Sequence, residues 1–328
     1  MTNSPELPLI DVSGLENSKG DAYAETVRSI GQACREIGFF YVTGHGIAPD
    51  DLSNMFDASR RFFALDAPAK STLSIEHSNH NRGYVGFQGE QLEASRPADL
   101  KEAFNIGLEL PADDPELMAN VDFRGPNQWP SELPEWRSQM LAYYQRMLDL
   151  ADRLHRAFAV DLGVAEDYFV PFMKRPLAVL RLLHYPAIPD IQVAEGTAIG
   201  AGTHSDYGML TLLLQDDVGG LQVQRRDGSW IEAPVVPGAF ICNIGDMLMR
   251  WSNDVYKSTP HRVLNNPLQE RFSIAMFCDP APDTPVTCLP SCVSADRPAA
   301  YAPTTSGAYL TSRLNDTYAF RGSAIDEG

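Results

Sequence analysis

The chain has 328 residues, 44% hydrophobic and 21% charged, which is ordinary for a globular protein able to bury one sizeable core. A formal net charge of −17 argues against DNA or RNA as partner, because nonspecific nucleic-acid binding is mostly Lys and Arg neutralising phosphates. No apolar run approaches the roughly 20 residues of a membrane span, and Met1-Thr2-Asn3-Ser4-Pro5-Glu6 lacks the basic and apolar regions of a secretory signal, so a cytoplasmic protein with no membrane partner is expected.

In chain order, residues 7–12 read as a short strand and 21–37 as an amphipathic helix with Val27, Ile30, Cys34 and Ile37 on one stripe, stopped by Gly38. Residues 39–42 form a strand, Gly44-His45-Gly46 a turn, and Pro49 opens a second helix carrying Leu52, Met55, Phe56 and Phe63. The stretch from about 79 to 134, rich in Gly, Pro, Asn and Asp, reads as loops with short strands. A long scaffold helix over about 134–160 follows, with Met140, Tyr144, Met147, Ala151, Leu154 and Phe158 at three- and four-residue spacing.

From 177 onward, short apolar runs are broken by Gly, Pro, Asp and Asn: 179–185, 209–214, 220–223, 230–233, 239–243, 247–251, 262–264 and 272–277. Many short strands at such spacing indicate a sandwich or barrel, here a jelly roll whose inward residues surround a pocket. The expected fold is mainly β with flanking helices. It divides into an amino-terminal region (1–135), the scaffold helix (136–176), a double-stranded β-helix core (177–280) and a carboxy-terminal extension (281–328) ending in a helix over 309–318. Five cysteines, an odd number in a chain too long to need staples, are expected to be reduced thiols rather than disulfides or a zinc site at Cys288 and Cys292.

The chemistry-bearing pattern is His204-Ser205-Asp206, then His261 inside Thr259-Pro260-His261-Arg262-Val263, then Arg271-Phe272-Ser273. Two imidazoles and a carboxylate can cap one face of a ferrous ion and leave three positions open. Strand alternation puts Arg271, Ser273, Ala275 and Phe277 on one face, so a guanidinium and a hydroxyl point the same way. The same period is expected to place His204 and Asp206 together. Arg rather than Lys at 271 suits a carboxylate ligand, since its planar fork binds bidentately and stays charged when buried.

With these residues on a strand series, the chain resembles the isopenicillin N synthase-like group of iron(II)- and 2-oxoglutarate-dependent oxygenases. Supporting matches are Pro8-Leu9-Ile10-Asp11, Gly38-Phe39-Phe40, Gly44-His45-Gly46, His184-Tyr185-Pro186, Gly219-Gly220-Leu221-Gln222-Val223, Asn243-Ile244-Gly245-Asp246 and Ser252-Asn253. The resemblance implies that His204, Asp206 and His261 bind Fe(II), that Arg271 and Ser273 hold the distal carboxylate of 2-oxoglutarate, and that Tyr185 assists. It further implies O2 as co-reactant and a small-molecule substrate, in keeping with secondary metabolism, with hydroxylation, desaturation or ring closure as outcomes. Leu183 stands where the group often has Asn, which removes one polar contact near the cosubstrate. Asp206 in place of a small residue disfavours halogenation.

Arg82, Tyr84, Phe104 and Phe277 are the candidates for substrate contact, Asn81 and Lys101-Glu102-Ala103-Phe104-Asn105 lying in the same regions. Leu212 and Leu214 are expected to line the barrel interior and exclude water. His45, His77, His80 and His155 are expected on the surface or in hydrogen bonds, and His184 should face away from the pocket because it is adjacent to Tyr185. Two further readings stay open on the residues alone: an iron oxidase with the same triad but no 2-oxoglutarate, and a noncatalytic metal or small-molecule sensor. Whether the chain is a monomer or a homo-oligomer is also open.

Overall fold

The computed structural model describes residues 6–17, 19–78, 80–93, 95–187, 199–266 and 268–317. The first third alternates strand and helix: β1 (Leu9–Asp11), α1 (Asp21–Glu36), β2 (Phe39–Thr43), α2 (Pro49–Phe63) and α3 (Ala67–Thr72), followed by β3 (Gly83–Val85), β4 (Glu102–Gly107) and α4 (Pro115–Met118). The scaffold helix is α5 (Trp136–Asp161). Then come β5 (Val179–Tyr185), β6 (Ile199–His204), β7 (Leu210–Gln215), β8 (Leu221–Gln224), β9 (Trp230–Glu232) and β10 (Phe240–Ile244). The chain continues through α6 (Asp246–Trp251), β11 (His261–Leu264), β12 (Arg271–Phe277), a small β13–β14 pair (Pro285–Val286 and Thr304–Thr305) and α7 (Ser306–Thr317).

Eight strands form one sheet in the order β1-β2-β10-β7-β12-β5-β4-β3, and four form a second in the order β6-β11-β8-β9. Only the β1–β2 pair in these sheets is parallel. The expected jelly roll with flanking helices is what these two sheets build. Alternation along each strand creates two apolar cores. On the outer face of the large sheet, Phe104, Leu180, Leu182, Leu212, Leu214, Ile274 and Met276 pack with the buried stripes of α1, α2 and α5. Between the sheets, Phe39, Ala103, Leu183 and Ala275 meet Ala201, Leu221, Val223 and Val263.

Four expectations need correction. Leu212 and Leu214 face the helices; their neighbours on β7, Thr211 and Leu213, face the cavity. Residues 247–251 are not a strand but most of α6, whose buried Met247, Leu248 and Trp251 fall at the spacing of a helix face. A strand not anticipated, β6, ends at His204, so Asp206 lies on the following loop rather than on the same strand. His155 is not exposed: it is buried on α5 with no partner among the described residues for either ring nitrogen, between Phe158 and Phe169. The end of the expected terminal helix, at 318, lies outside the described residues.

Candidate active site

The end of β6, the loop after it and the start of β11 bring three donors together. His204 pairs directly with His261 across the β6–β11 ladder, which sets their rings 4.3 Å apart. Asp206 Oδ1 stands 3.8 Å from His204 Nε2 and 3.6 Å from His261 Nε2. All three ligand atoms lie within 4.8 Å of one another, the spacing a single ion can bridge. The loop is pinned from below. The Asp246 N–H donates to the Asp206 carbonyl at 2.7 Å, and the backbone approaches so closely there that a Cβ on Gly245 would collide with the Gly208 carbonyl oxygen.

Hydrogen bonds fix which lone pairs face inward. His204 Nδ1 is 2.7 Å from the Gly202 carbonyl and His261 Nδ1 is 3.2 Å from the Thr259 carbonyl. Carbonyls only accept, so each Nδ1 carries a proton and Nε2 is the nitrogen left facing Asp206 Oδ1. Asp206 Oδ2 accepts from Thr211 Oγ1 at 2.5 Å and Asn243 Nδ2 at 2.6 Å, which leaves Oδ1 for the inward position. Burial opposes ionisation of Asp206, yet His261, His204 and those two donors together hold its pKa below the usual carboxylate value. Burial, then the neighbouring His261, pushes His204 down to about 3, so its imidazole is neutral and able to ligate.

The second constellation lies along β12. Arg271, only 1% exposed, donates to Ser273 Oγ at 3.2 Å and Gln215 Oε1 at 3.4 Å, and its guanidinium lies 4.7 Å from the Tyr185 ring centroid. Among the described residues its Nε has no partner and no carboxylate forms an ion pair with it. Asp216, close enough to feel its charge, instead accepts the Phe272 and Val218 N–H groups. A buried guanidinium without a paired anion is costly unless a ligand completes it. Ser273 pairs across the sheet with Leu183 and Gln215, so the missing Asn at 183 leaves an apolar wall beside this polar patch.

Two family models cover most of this chain: the non-haem dioxygenase in morphine synthesis N-terminal model matches residues 7–132, and the 2OG-Fe(II) oxygenase superfamily model matches 176–280. The chain belongs to the 2-oxoglutarate/Fe(II)-dependent oxygenases. It is 38% identical over 302 residues to the 2-oxoglutarate-Fe(II) type oxidoreductase hxnY of Emericella nidulans, covering 91% of this chain and 86% of that protein. It is also 38% identical over 296 residues to a homoarginine-6-hydroxylase of Glycine max, covering 87% and 88%. A full-length Neurospora crassa protein, solved in complex with alpha-KG and thymine, superposes with a TM-score of 0.85 at 33% identity, covering 96% of this chain and 98% of that one. As a dioxygenase of this family the protein is an oxidoreductase that uses Fe(II), 2-oxoglutarate and O2. The donor set fits both groups: two imidazoles and a carboxylate for the ion, and a buried guanidinium with an N–H that has no partner among the described residues for the keto acid.

One cavity between the sheets joins these parts. His204, Asp206, His261, Tyr185, Arg271 and Ser273 all line it. Of the four substrate candidates, Arg82 and Phe277 line it, whereas Tyr84 and Phe104 do not. Alternation explains the split: Ala103, Asn105 and Gly107 of β4 face inward, so Phe104 turns out to pack edge-on against Phe62 and Trp136. Tyr84 likewise lies between Gly83 and Val85, donates to Glu102 and packs against Phe62. His184 faces outward as expected, stacked on Phe272 and bridging Glu102 and Glu270.

Sequence reasoning assigned no role to Thr211, Asn243, Gln215, Glu90 or Arg181. Asn243 belonged to a motif already singled out; for the other four, polar residues in or near apolar strands were the only available signal. His45 does bond the Gly238 carbonyl and His77 is exposed. All five cysteines are free thiols, and among the described residues no helix is long and apolar enough to cross a membrane.

Proposed function

We propose that His204, Asp206 and His261 hold Fe(II), that Arg271 and Ser273 bind the distal carboxylate of 2-oxoglutarate with Tyr185 packed against the guanidinium, and that the rest of the cavity receives a small organic substrate. Hydroxylation is the favoured outcome, with desaturation or ring closure open to the same site. The observation that carries this reading is the meeting, in one cavity, of three converging donors and a buried guanidinium that no carboxylate among the described residues pairs. The names of two relatives agree with a small-molecule substrate: one is a homoarginine-6-hydroxylase and another was solved with thymine.

With both groups bound, decarboxylation of 2-oxoglutarate to succinate and CO2 supplies two electrons that, with two from the substrate, reduce O2. The protein's part is positional and electrostatic. Thr211 and Asn243 restrain one Asp206 oxygen and aim the other; the Gly202 and Thr259 carbonyls orient the two imidazoles. Arg271 fixes the keto acid's far end. Leu213, Leu221, Val263, Ala275 and Phe277 exclude water from the reacting centre.

The order of elements supports one working unit, with 1–135 packing on the 177–280 core, 136–176 as scaffold and 281–328 as an extension whose Leu310 and Leu314 reach the cavity. Free thiols and the acidic charge favour a cytoplasmic setting without nucleic-acid or membrane partners, and membership of the family is in keeping with a role in secondary metabolism. The test is Fe(II)-dependent release of succinate from 2-oxoglutarate, with Asp206→Ala alongside. Succinate that requires iron and vanishes in the variant supports the reading; oxidation of a substrate without succinate would replace it by the oxidase.

A further inference from the structure

Four Lys or Arg side chains are buried in the described structure: Arg82, Lys101, Arg124 and Arg271. Lys101 sits between Asp99 at 2.5 Å and Glu90 at 3.3 Å, and Arg124 contacts Glu116 at 2.6 Å. The other two form no ion pair among the described residues. A buried charge without a counter-charge is unfavourable by several kcal/mol, so two such cations in one small protein call for explanation. Both line the same cavity. For Arg271 the missing anion is the 2-oxoglutarate carboxylate; nothing so far accounts for Arg82.

The two sites are separate within the cavity. Across the ladder β4-β5-β12, Arg271 pairs with Tyr185, whereas Phe277 at the other end of β12 pairs with Val179, and Val179 with Gly107. Arg82 lies over Gly107, where a Cβ would collide with the guanidinium carbon, so the absence of a side chain there makes room for it. Arg82 donates to the His80, Asn81 and Phe123 carbonyls at 3.1–3.3 Å, all neutral acceptors. Among the described residues, those three bonds leave two of five N–H donors unused, Nε–H among them. Beside it, the amide of buried Asn105 has only a 3.5 Å contact with Asn81 and an unpartnered Oδ1. The other cation on this face, Arg181, is matched by Glu90 at 2.5 Å.

We infer that the primary substrate is a small carboxylic acid with an apolar body, its carboxylate received by Arg82 at the Gly107 end of the cavity. Charge bookkeeping agrees. Lys101 and Arg181 are offset by Glu90 and Asp99, and the charges of Asp206, Fe(II), 2-oxoglutarate and Arg271 sum to zero. Asp279, the remaining acid on the wall, accepts the Met209 N–H and forms no ion pair with Arg82 among the described residues. Arg82 then remains as the wall cation with no paired acid. The apolar body lies against Phe123, Leu177, Val179, Phe277, Leu310 and Leu314. This substrate class rests on the functional reading above, which supplies the anion for Arg271.

The test is anaerobic calorimetry on the protein loaded with Fe(II) and 2-oxoglutarate, so that binding is read without turnover. The probes are benzoate, phenylacetate and cyclohexylacetate, each against its own primary amide. A charge-assisted contact gives the acids roughly 10–100-fold tighter binding, and Arg82→Gln brings the acid-to-amide ratio close to one. A folding defect would weaken acid and amide alike, so the ratio reports recognition rather than stability. Should Arg82→Gln not fold, Arg82→Lys, which keeps the charge but loses the fork, lowers the ratio several-fold. The inference is overturned by acids that bind no better than their amides, by no acid binding at all, or by a ratio that survives substitution of Arg82. Titration of 2-oxoglutarate into the iron-loaded protein is scored separately: failure there counts against the cofactor assignment, not against Arg82.

Discussion

The two oxygens of Asp206 have different work, and the division is testable one residue at a time. Oδ2 takes both hydrogen bonds, from Thr211 and Asn243, so Oδ1 is held toward the imidazoles. Asn243→Ala and Thr211→Val are each expected to weaken Fe(II) binding about 10–100-fold with the ligand set intact; unchanged affinity in both would show that these bonds do not orient the carboxylate. Arg271→Lys keeps the charge but not the fork, and is expected to raise the Kd for 2-oxoglutarate at least about tenfold, read by calorimetry. The proposed ligands stood out in the sequence because two His and an Asp followed by Arg-x-Ser is a rare set of expensive residues. Thr211, Asn243 and Gln215 were not, since a polar residue on an apolar strand has many uses and only the ladder tells which carboxylate or guanidinium it meets.

At the scale of elements, period was readable but phase often was not. The long helix was clear from its spacing, and the structure buries Met140, Tyr144, Met147, Ala151, Leu154 and Phe158 as that spacing requires. On β7, by contrast, Leu212, Leu213 and Leu214 are chemically alike, so nothing local says which faces the cavity; Leu213 does because Thr211, two residues before it, faces Asp206. The α6 segment differs from its expected strand for a related reason: a short, mostly apolar run such as Met247-Leu248-Met249-Arg250-Trp251 fits a strand or a helix turn equally well. Leu154, fully buried on α5 against the outer core, gives a test of that packing. Leu154→Ala is expected to lower unfolding stability by about 2–5 kcal/mol in a urea titration; a loss below about 1 kcal/mol would mean the helix does not pack there as described.

For the molecule as a whole, the buried His155 links stability to pH. Burial pushes it down from 6.5 to about 4, with Asp152 only partly opposing. The unfolded chain therefore binds its proton at higher pH than the folded one, so this residue's effect is a loss of stability as pH falls from about 6.5 to about 4. Over that window the loss amounts to about 3 kcal/mol. Asp279, raised to about 7 chiefly by burial, acts in the opposite direction, so the comparison must be between wild type and His155→Leu. The stability difference between the two is expected to move by that amount in the variant's favour on acidification, measured by denaturant unfolding from about pH 7 to about pH 4; parallel pH curves would show that His155 is not buried neutral. The overall jelly roll was legible from the series of short strands. The joining of β1 to β4 with the core strands into a single eight-stranded sheet was not, because strand pairing between distant segments leaves no local signature.

The most direct measurement is an anaerobic titration of the metal-free protein with Fe(II) and then 2-oxoglutarate, followed by visible absorption and run in parallel on Arg271→Ala. A metal-to-ligand charge-transfer band that grows in the wild type and needs far more 2-oxoglutarate in the variant is the expected result, and ties the iron ligands, the cosubstrate and its anchor to one site. Iron binding with no band, or a band indifferent to Arg271, would contradict the assignment.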